Sequence, residues 1–352
     1  MIILGIETSC DETAAAVVRD GHELLSNVVA SSMDLHAKYG GVVPEIAARS
    51  HIEVITPVIQ QALDESGLGW DDIDGIAVTY GAGLGGSLLV GVLTARTLAQ
   101  VHNKPLYACN HVEGHVYANF LTETSLPGYT MRKSQPEFPM LAIIVSGGHS
   151  QLVLFRDHND YTLLGRTQDD AIGEAFDKVA KITGLPYPGG PSVEKAARAG
   201  DPYAFKLPKA KVGKYDFSFS GLKTAVLRQA QALCGKDYTF PSTKLPEALN
   251  EAQKADLAAS FVRVACETIV DKAVMAVEEF SPKSVVLAGG VAASPALRAQ
   301  LLERITVPIE FPDFKLCTDN GAMIATLGCF KSLYGDAPAD PLSLSIEPNL
   351  SM

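Results

Sequence analysis

Two segments of this chain repeat one pattern, and the repetition restricts the fold more than any other feature of the sequence. Residues 1–20 run MIILGIE, a polar turn TSCDET and AAAVVRD, ending at the turn signal Asp20-Gly21. Residues 140–156, MLAIIVSGGHSQLVLFR, follow the same order: an apolar run of strand length, a small polar turn and a second apolar run. Each segment predicts a β-hairpin. One hairpin at the head of each half of the chain, with helices and strands after it, predicts a duplicated α/β architecture of two related lobes with a central cleft.

The segments around the hairpins agree with that plan. Residues 72–102 read as a buried strand, the Gly-rich loop GAGLGG and a helix whose start is a natural seat for an anion. Residues 121–139 are polar with three prolines and predict the link between the halves. Residues 246–280 predict one long amphipathic helix closed by Ser281-Pro282. Residues 284–301 repeat strand, Gly-Gly turn and helix, and a last helix in TDNGAMIATLGCF is expected to be capped by Thr318 or Asp319.

A hydrophobic fraction of 47% over 352 residues supplies large cores and excludes a disordered or fibrous chain. The six cysteines include no CxxC pair, so neither a disulfide framework nor a thiolate zinc site is expected. The first residues lack the basic start of a secretory signal. The most apolar stretch, GLGGSLLVGVLTARTLA, is broken by Arg96 and short for a bilayer span. The expectation is a soluble cytoplasmic protein with no membrane attachment. A net charge of -11 opposes binding to a polyanion. Against that, residues 195–228 hold eight basic side chains and two acids, with Tyr203, Phe205, Tyr215, Phe217 and Phe219 interleaved. They read either as a nucleic-acid surface or as a solvated face with anchoring aromatics.

In CNHVEGHVYANF, residues 109–120, His111 and His115 stand four apart and share one face of a helix, while Glu113 is turned roughly 200° away. This differs from HExxH, whose Glu beside the first His is the base of a zinc protease. The pair reads as two ligands without that base, or as two packed side chains. A metal site would need a third ligand, most simply a carboxylate. Asp11 and Glu12 in the first turn are either solvated turn residues or, against a phosphate and a metal, groups that hold a water or accept a proton. SGGHS, residues 146–150, offers small residues and free amides suited to a phosphate. Neither a GxSxG elbow nor a Walker A loop occurs.

Taken in order, GIETSCDET, NHVEGHVYA, IVSGGHSQL, GEAFDKVAKITGLPYPGGP, FSFSGLKTA, LAGGV and CTDNGAMIA resemble the TsaD family of tRNA threonylcarbamoyl transferases, in its bacterial and mitochondrial branch. The resemblance implies the actin-like, sugar kinase and Hsp70-like ATPase (ASKHA) fold. Its first lobe would be residues 1–120, with a helix at about 319–335 packing back on it, and its second residues 136–318, with a basic insertion at about 191–245. It implies transfer of a threonylcarbamoyl group from threonylcarbamoyl-AMP to N6 of adenosine 37 in tRNAs reading codons that begin with A, with release of AMP. TsaB-like and TsaE-like proteins are the partners it implies. The family's metal ligands fall on His111, His115 and Asp319, for one ion, iron(II) first and zinc second. Its adenylate contacts fall on Ile144, Val145, Ser146, Gly147 and Gly148, with Asp177, Gly190 and Ser294.

Two positions depart from the family pattern. Ser294 stands where Asn is common, a shorter group whose contact is expected to be weaker or water-mediated, and Ala82 stands where Pro is common in the Gly-rich loop. Catalysis would rest on Asp11 and Glu12, either of which could take the proton of the attacking amine. The rival readings are a non-catalytic nucleotide-binding partner of the same fold, which the His pair opposes, and a metalloprotease, whose glutamate is misplaced.

Overall fold

The computed structural model describes residues 1–352 and separates into two units, Met1–Pro136 with Glu310–Met352, and Glu137–Ile309. In the first unit the opening apolar run becomes β1 (Ile2–Glu7), and the hairpin continues into β2 (Glu12–Arg19) and β3 (Glu23–Ser31). Six of the eight residues of β2 are buried, as expected of a strand with an element on each face. The sheet is completed by β4 (Gly75–Gly81), β5 (Leu106–Asn110) and β6 (Glu123–Thr124), in the order β5-β4-β1-β2-β3-β6. Strands β1, β2 and β3 are antiparallel, whereas β4 lies parallel to β1 and β5 parallel to β4. The helices are α1 (Met33–Ala37), α2 (Pro44–Ser66), α3 (Gly85–Val101) and α4 (His111–Tyr117). The Gly-rich loop joins β4 to α3 as the sequence predicts.

The second unit repeats this plan. β7 (Met140–Val145), β8 (Ser150–Asp157) and β9 (Asp160–Arg166) form an antiparallel meander, and β10 (Ser284–Ala288) lies parallel to β7, as β4 does to β1. With β11 (Ile309–Glu310) the order is β11-β10-β7-β8-β9, which matches β5-β4-β1-β2-β3 position for position. The helices are α5 (Ile172–Thr183), α6 (Gly189–Ala197), α7 (Ser220–Leu233), α8 (Leu245–Ala248), α9 (Glu251–Phe280) and α10 (Pro295–Arg304). The long helix expected from residue 246 is therefore two. Asn250 interrupts it: its side chain accepts from the Gln253 N–H at 2.9 Å while its own N–H reaches the Gln253 side chain at 3.0 Å, a capping box that starts α9 afresh. No helix of the chain is long and apolar enough to cross a membrane.

The chain returns to the first unit as α11 (Gly321–Leu333). Its cap is neither Thr318 nor Asp319 but Asn320, whose side chain accepts from the Met323 N–H at 3.0 Å. That leaves Asp319 outside the helix, one residue before its cap. Helix α11 lies almost in backbone contact with the sheet. A Cβ on Gly5 would fall 2.8 Å from the Cα of Ala325, and one on Gly321 would fall 2.5 Å from the carbonyl carbon of Ala15. Only glycine permits this approach. We expect Gly5→Ala to destabilise the protein by about 3 kcal/mol in urea unfolding, because the methyl would have to push a helix backbone rather than a side chain. A loss within experimental error would show that α11 can slide.

Candidate functional site

In the first unit the chain arranges a His-His-carboxylate group. Strand β5 ends at Asn110, whose side-chain oxygen accepts from the Val112 N–H at 2.8 Å and so begins α4 one residue before His111. His111 and His115 then share a face, their ring centroids 4.7 Å apart. The loop before α11 brings Asp319 to them. Its Oδ1 lies 3.2 Å from Nε2 of His115 and 3.6 Å from Nε2 of His111, and ligand atoms of all three residues fit within 4.8 Å of one another. The ring of His115 is buried, and the carboxylate beside it is close enough for an ion pair yet misaligned for a hydrogen bond, so both ring nitrogens lack a hydrogen-bond partner. A buried imidazole so placed is unstable unless its lone pair binds something. Two imidazole nitrogens and one carboxylate oxygen form the donor set of an iron(II) or zinc site. Glu113 is turned away as the helix period requires. Burial pushes its carboxyl up to about 7 against the pull of Lys331.

Behind His111 stands a residue that the sequence reading missed. Glu7, fully buried at the end of β1, lies 3.2 Å from Nδ1 of His111 and accepts from Thr79 Oγ1 and from the Ser9 N–H, each at 2.5 Å. Ser9 Oγ is 3.0 Å from the same ring nitrogen. The carboxylate fixes a proton on Nδ1, so that a cation replacing the proton on Nε2 would meet the lone pair of that nitrogen beside Asp319. Burial opposes charge on this ring, but the carboxylates of Asp319 and Glu7 outweigh it and raise its pKa to about 9. The charge these groups draw onto His111 as a proton is the charge a divalent cation would supply instead. The available signal was a carboxylate closing an otherwise apolar strand.

Asp11 and Glu12 enter the same surroundings from the first hairpin. Only Asp11 belongs to the turn; Glu12 is already the first residue of β2 and pairs with Ser31, whose hydroxyl donates to its carboxylate at 3.1 Å. Burial, then the neighbouring carboxylates of Asp319 and Asp11, push Glu12 up to about 9. The carboxylates therefore crowd one another, as anions around a cation site do.

The second unit holds a cavity of about 430 Å³ lined by Gly147, Asp177, Gly190 and Ser294, with Glu194 and Arg198. Four of the residues expected to contact an adenylate thus meet in one place. Ser146 is buried beside them and closes the turn, its N–H donating to the His149 carbonyl at 2.8 Å and its Oγ accepting from the His149 N–H at 3.1 Å, while Gly147 and Gly148 stay exposed. Ile144 and Val145 lie in β7 with wholly buried side chains, so only their backbone could contribute. Asp177 accepts from the Gly189 N–H at 2.7 Å, and burial holds its carboxyl above the usual range. Ser294 caps α10 and donates to Glu194. The hydroxyl that stands in place of Asn is therefore not idle: it ties down a cavity carboxylate that the sequence reading had passed over.

The basic segment divides. Lys209 is paired with Glu267 at 2.9 Å and Asp271 at 2.7 Å on α9, and Lys214 with Glu279, so carboxylates of that helix offset part of the surplus counted along the sequence. Tyr215, Phe217 and Phe219 are buried anchors, whereas Tyr203 is 75% exposed, with the Arg263 guanidinium 4.8 Å over its ring. Lys206 and Lys211 remain exposed.

The family model described as TsaD, tRNA N6-adenosine threonylcarbamoyltransferase, matches residues 23–326. A protein of that name from Thermomicrobium roseum is 54% identical over 333 residues, covering 92% of this chain and 90% of its own. Another from Symbiobacterium thermophilum is 51% identical over 355 residues, covering 100% and 97%. Among solved structures, full-length HypF in its phosphate- and nucleotide-bound form aligns with a TM-score of 0.57 at 13% identity, over 96% of this chain and 56% of its own. Component A of the Acidaminococcus fermentans (R)-2-hydroxyglutaryl-CoA dehydratase aligns with 0.50 at 15% identity, over 95% and 99%. At such identities these two speak for the fold alone, that of the actin-like, sugar kinase and Hsp70-like ATPases.

The metal reading predicts that Asp319→Ala and His115→Ala reduce bound metal to background in elemental analysis of the purified protein. Glu7→Gln should weaken it by roughly 10- to 100-fold through the misdirected His111 ring. Glu113→Gln should leave it unchanged. Full metal content in Asp319→Ala would dismiss the three-residue site.

Proposed function

The chain belongs to the tRNA N6-adenosine threonylcarbamoyltransferase family, and from that membership we propose how its own residues divide the reaction between them. It is an acyltransferase that forms threonylcarbamoyladenosine in tRNA. The donor is threonylcarbamoyl-AMP and the acceptor N6 of adenosine 37: the N6–C bond forms, the bond from the carbamoyl carbon to the phosphate oxygen breaks, and AMP leaves with that electron pair.

The observation that carries the reading is the meeting of His111, His115 and Asp319 around ligand atoms within 4.8 Å of one another. These residues would hold one divalent ion, iron(II) before zinc, and such an ion supplies positive charge that stabilises the phosphate as it departs. The cavity of the second unit would take the AMP moiety. The exposed amides of Gly147 and Gly148 suit the phosphate, and the Asp177 carboxylate suits the ribose hydroxyls. Asp11 or Glu12 accepts the proton that N6 gives up. Burial, then the carboxylates of Asp319 and Asp11, press Glu12 to stay protonated, and a cation nearby would relieve that pressure.

The tRNA would be met by the exposed part of the basic segment, Lys206 and Lys211 beside Tyr203, while Lys209 and Lys214 hold that segment to α9. TsaB-like and TsaE-like proteins are the proposed partners, and the cytoplasm the proposed compartment.

In a transfer assay with threonylcarbamoyl-AMP, unmodified tRNA, metal and the partner proteins, we expect modified nucleoside by mass spectrometry and none with His111→Ala. Asp11→Asn and Glu12→Gln combined should lower kcat by about 10²- to 10⁴-fold. Full activity in that double variant would remove both carboxylates from the mechanism. Product absent from the wild-type protein with active partners would leave only a nucleotide-binding relative. Charge reversal at Lys206 and Lys211 should weaken tRNA binding at fixed salt and flatten its salt dependence by about two ions. Unchanged affinity would return the segment to a solvated face.

A further inference from the structure

Six residues, Thr8 to Thr13, connect the last β1–β2 pair, Glu7 with Ala14. The β1–β2 ladder does not hold these residues as it would a two-residue turn; Glu12 and Thr13 are paired with Ser31 and Ala30 of β3, and the residues before them are not. The two central carbonyls of the connection, those of Cys10 and Asp11, are instead taken up by side chains from other elements. The Cys10 carbonyl accepts from Nε2 of His51 on α2 at 3.0 Å and from Ser87 Oγ on α3 at 3.1 Å. The Asp11 carbonyl accepts from both the hydroxyl, at 2.8 Å, and the N–H, at 3.0 Å, of Ser32, the residue just before α1. His36 stands behind Ser32, its Nε2 at 3.1 Å from the hydroxyl.

The positions of the protons follow from the partners. A carbonyl only accepts, so Nε2 of His51 carries its hydrogen, and Nδ1 is left to accept from Thr13 Oγ1 at 2.7 Å. The Val43 N–H donates to Nδ1 of His36 at 3.2 Å, so the hydrogen of that neutral ring is also on Nε2, and it points at Ser32 Oγ. Ser32 then has its own hydrogen available for the Asp11 carbonyl. Both rings are completely buried, and every ring nitrogen has a partner. Burial also holds His51 below the usual histidine range, in keeping with the neutral ring. The chain thus places two buried imidazoles behind two successive carbonyls of one short loop, which carries the Asp11 carboxylate and leads directly into Glu12 at the start of β2.

We propose that His36 and His51 are positioning residues for acyl transfer: through Ser32 and directly, they fix the backbone at Cys10 and Asp11 and thereby aim the Asp11 and Glu12 carboxylates. The inference rests on the reading of those carboxylates as the proton acceptor. The ring nitrogens of both histidines are taken up by Thr13, Ser32, Val43 and Cys10, none of them a candidate metal ligand. Displacement of a reacting group by about 1 Å costs on the order of 10²-fold in rate, so the clamp acts on kcat rather than on binding.

The test uses the full chain with its partners. His51→Ala should lower kcat by about 10²-fold, with KM for threonylcarbamoyl-AMP and tRNA and bound metal held near wild type, in a protein whose melting temperature falls with the lost buried contacts but stays above the assay temperature. His51→Gln, which keeps a donor near the Nε2 position, should recover most of the rate. In the background of Asp11→Asn with Glu12→Gln, His51→Ala should have no further effect on the residual single-turnover rate, because it acts through groups already removed. An undiminished loss in that background overturns the inference while leaving the carboxylate reading intact. Full activity in Asp11→Asn with Glu12→Gln overturns both. Where the residual rate is undetectable, the Gln variant decides: no recovery, or metal content falling together with kcat, reduces His51 to a structural core residue.

Discussion

The first unit depends on one close approach, that of α11 to the sheet. Glycines on both partners make it possible. Gly5 on β1 faces the backbone of Ala325, Gly321 opens the helix against Ala15 and Ala16, and Gly328 leaves room for the methyl of Ala77. Gly114, between the two histidines of α4, does the same on the other side, since a Cβ there would fall 2.8 Å from Ile324 Cδ1. Removing four side chains brings a helix, a strand and a second helix to backbone distance, where dispersion contacts are dense and a shift of a few tenths of an ångström is resisted. The consequence for chemistry is direct. Asp319 stands just before Asn320, the cap of α11, and His111 and His115 stand on α4. The packing that seats α11 sets the distance between the carboxylate and both rings.

Electrostatics then works in one direction around that group. Glu7, Glu12 and Asp319 bring carboxylates close to the buried rings of His111 and His115, and His111 responds by holding its proton more tightly. Glu7 is stabilised as an anion: burial opposes it, but His111 and the Ser9 contact keep it below the usual carboxylate range. Glu12 has only the Ser31 hydroxyl to set against burial and the carboxylates of Asp319 and Asp11, and is pushed the other way. Such a crowd is costly by itself and is relieved by positive charge, which is why the arrangement suits a cation better than a structural polar core. At the basic segment the opposite holds. Its lysines meet acids of α9 at exposed positions, where ion pairs contribute little stability but remove net charge.

Several elements were legible because local rules decided them. Both hairpins, the β4–α3 turn and the His111/His115 face follow from periods of two and of 3.6 residues, and the structure has them where the pattern placed them. Boundaries that depend on a cap were less legible. Asn250 divides the helix expected from residue 246, and Asn320 rather than Asp319 begins α11, because a side-chain oxygen at the right φ and ψ wins over its neighbours by geometry the pattern does not contain. The aromatics at 215, 217 and 219 read as a possible stacking surface, and packing made them core.

The sequence by itself determined the repeated hairpin plan, the candidate ligands and, through its motifs, the family. Those are properties of spacing and residue type, and spacing survives without a fold. The tertiary structure alone decided that Glu7 stands behind His111, that His36 and His51 hold the loop of Asp11 and Glu12, and that Ser294 reaches Glu194 across a separation of 100 residues. Each of these is a hydrogen bond between distant positions. Its geometry exists only once helices and sheet are packed, so no local pattern could announce it.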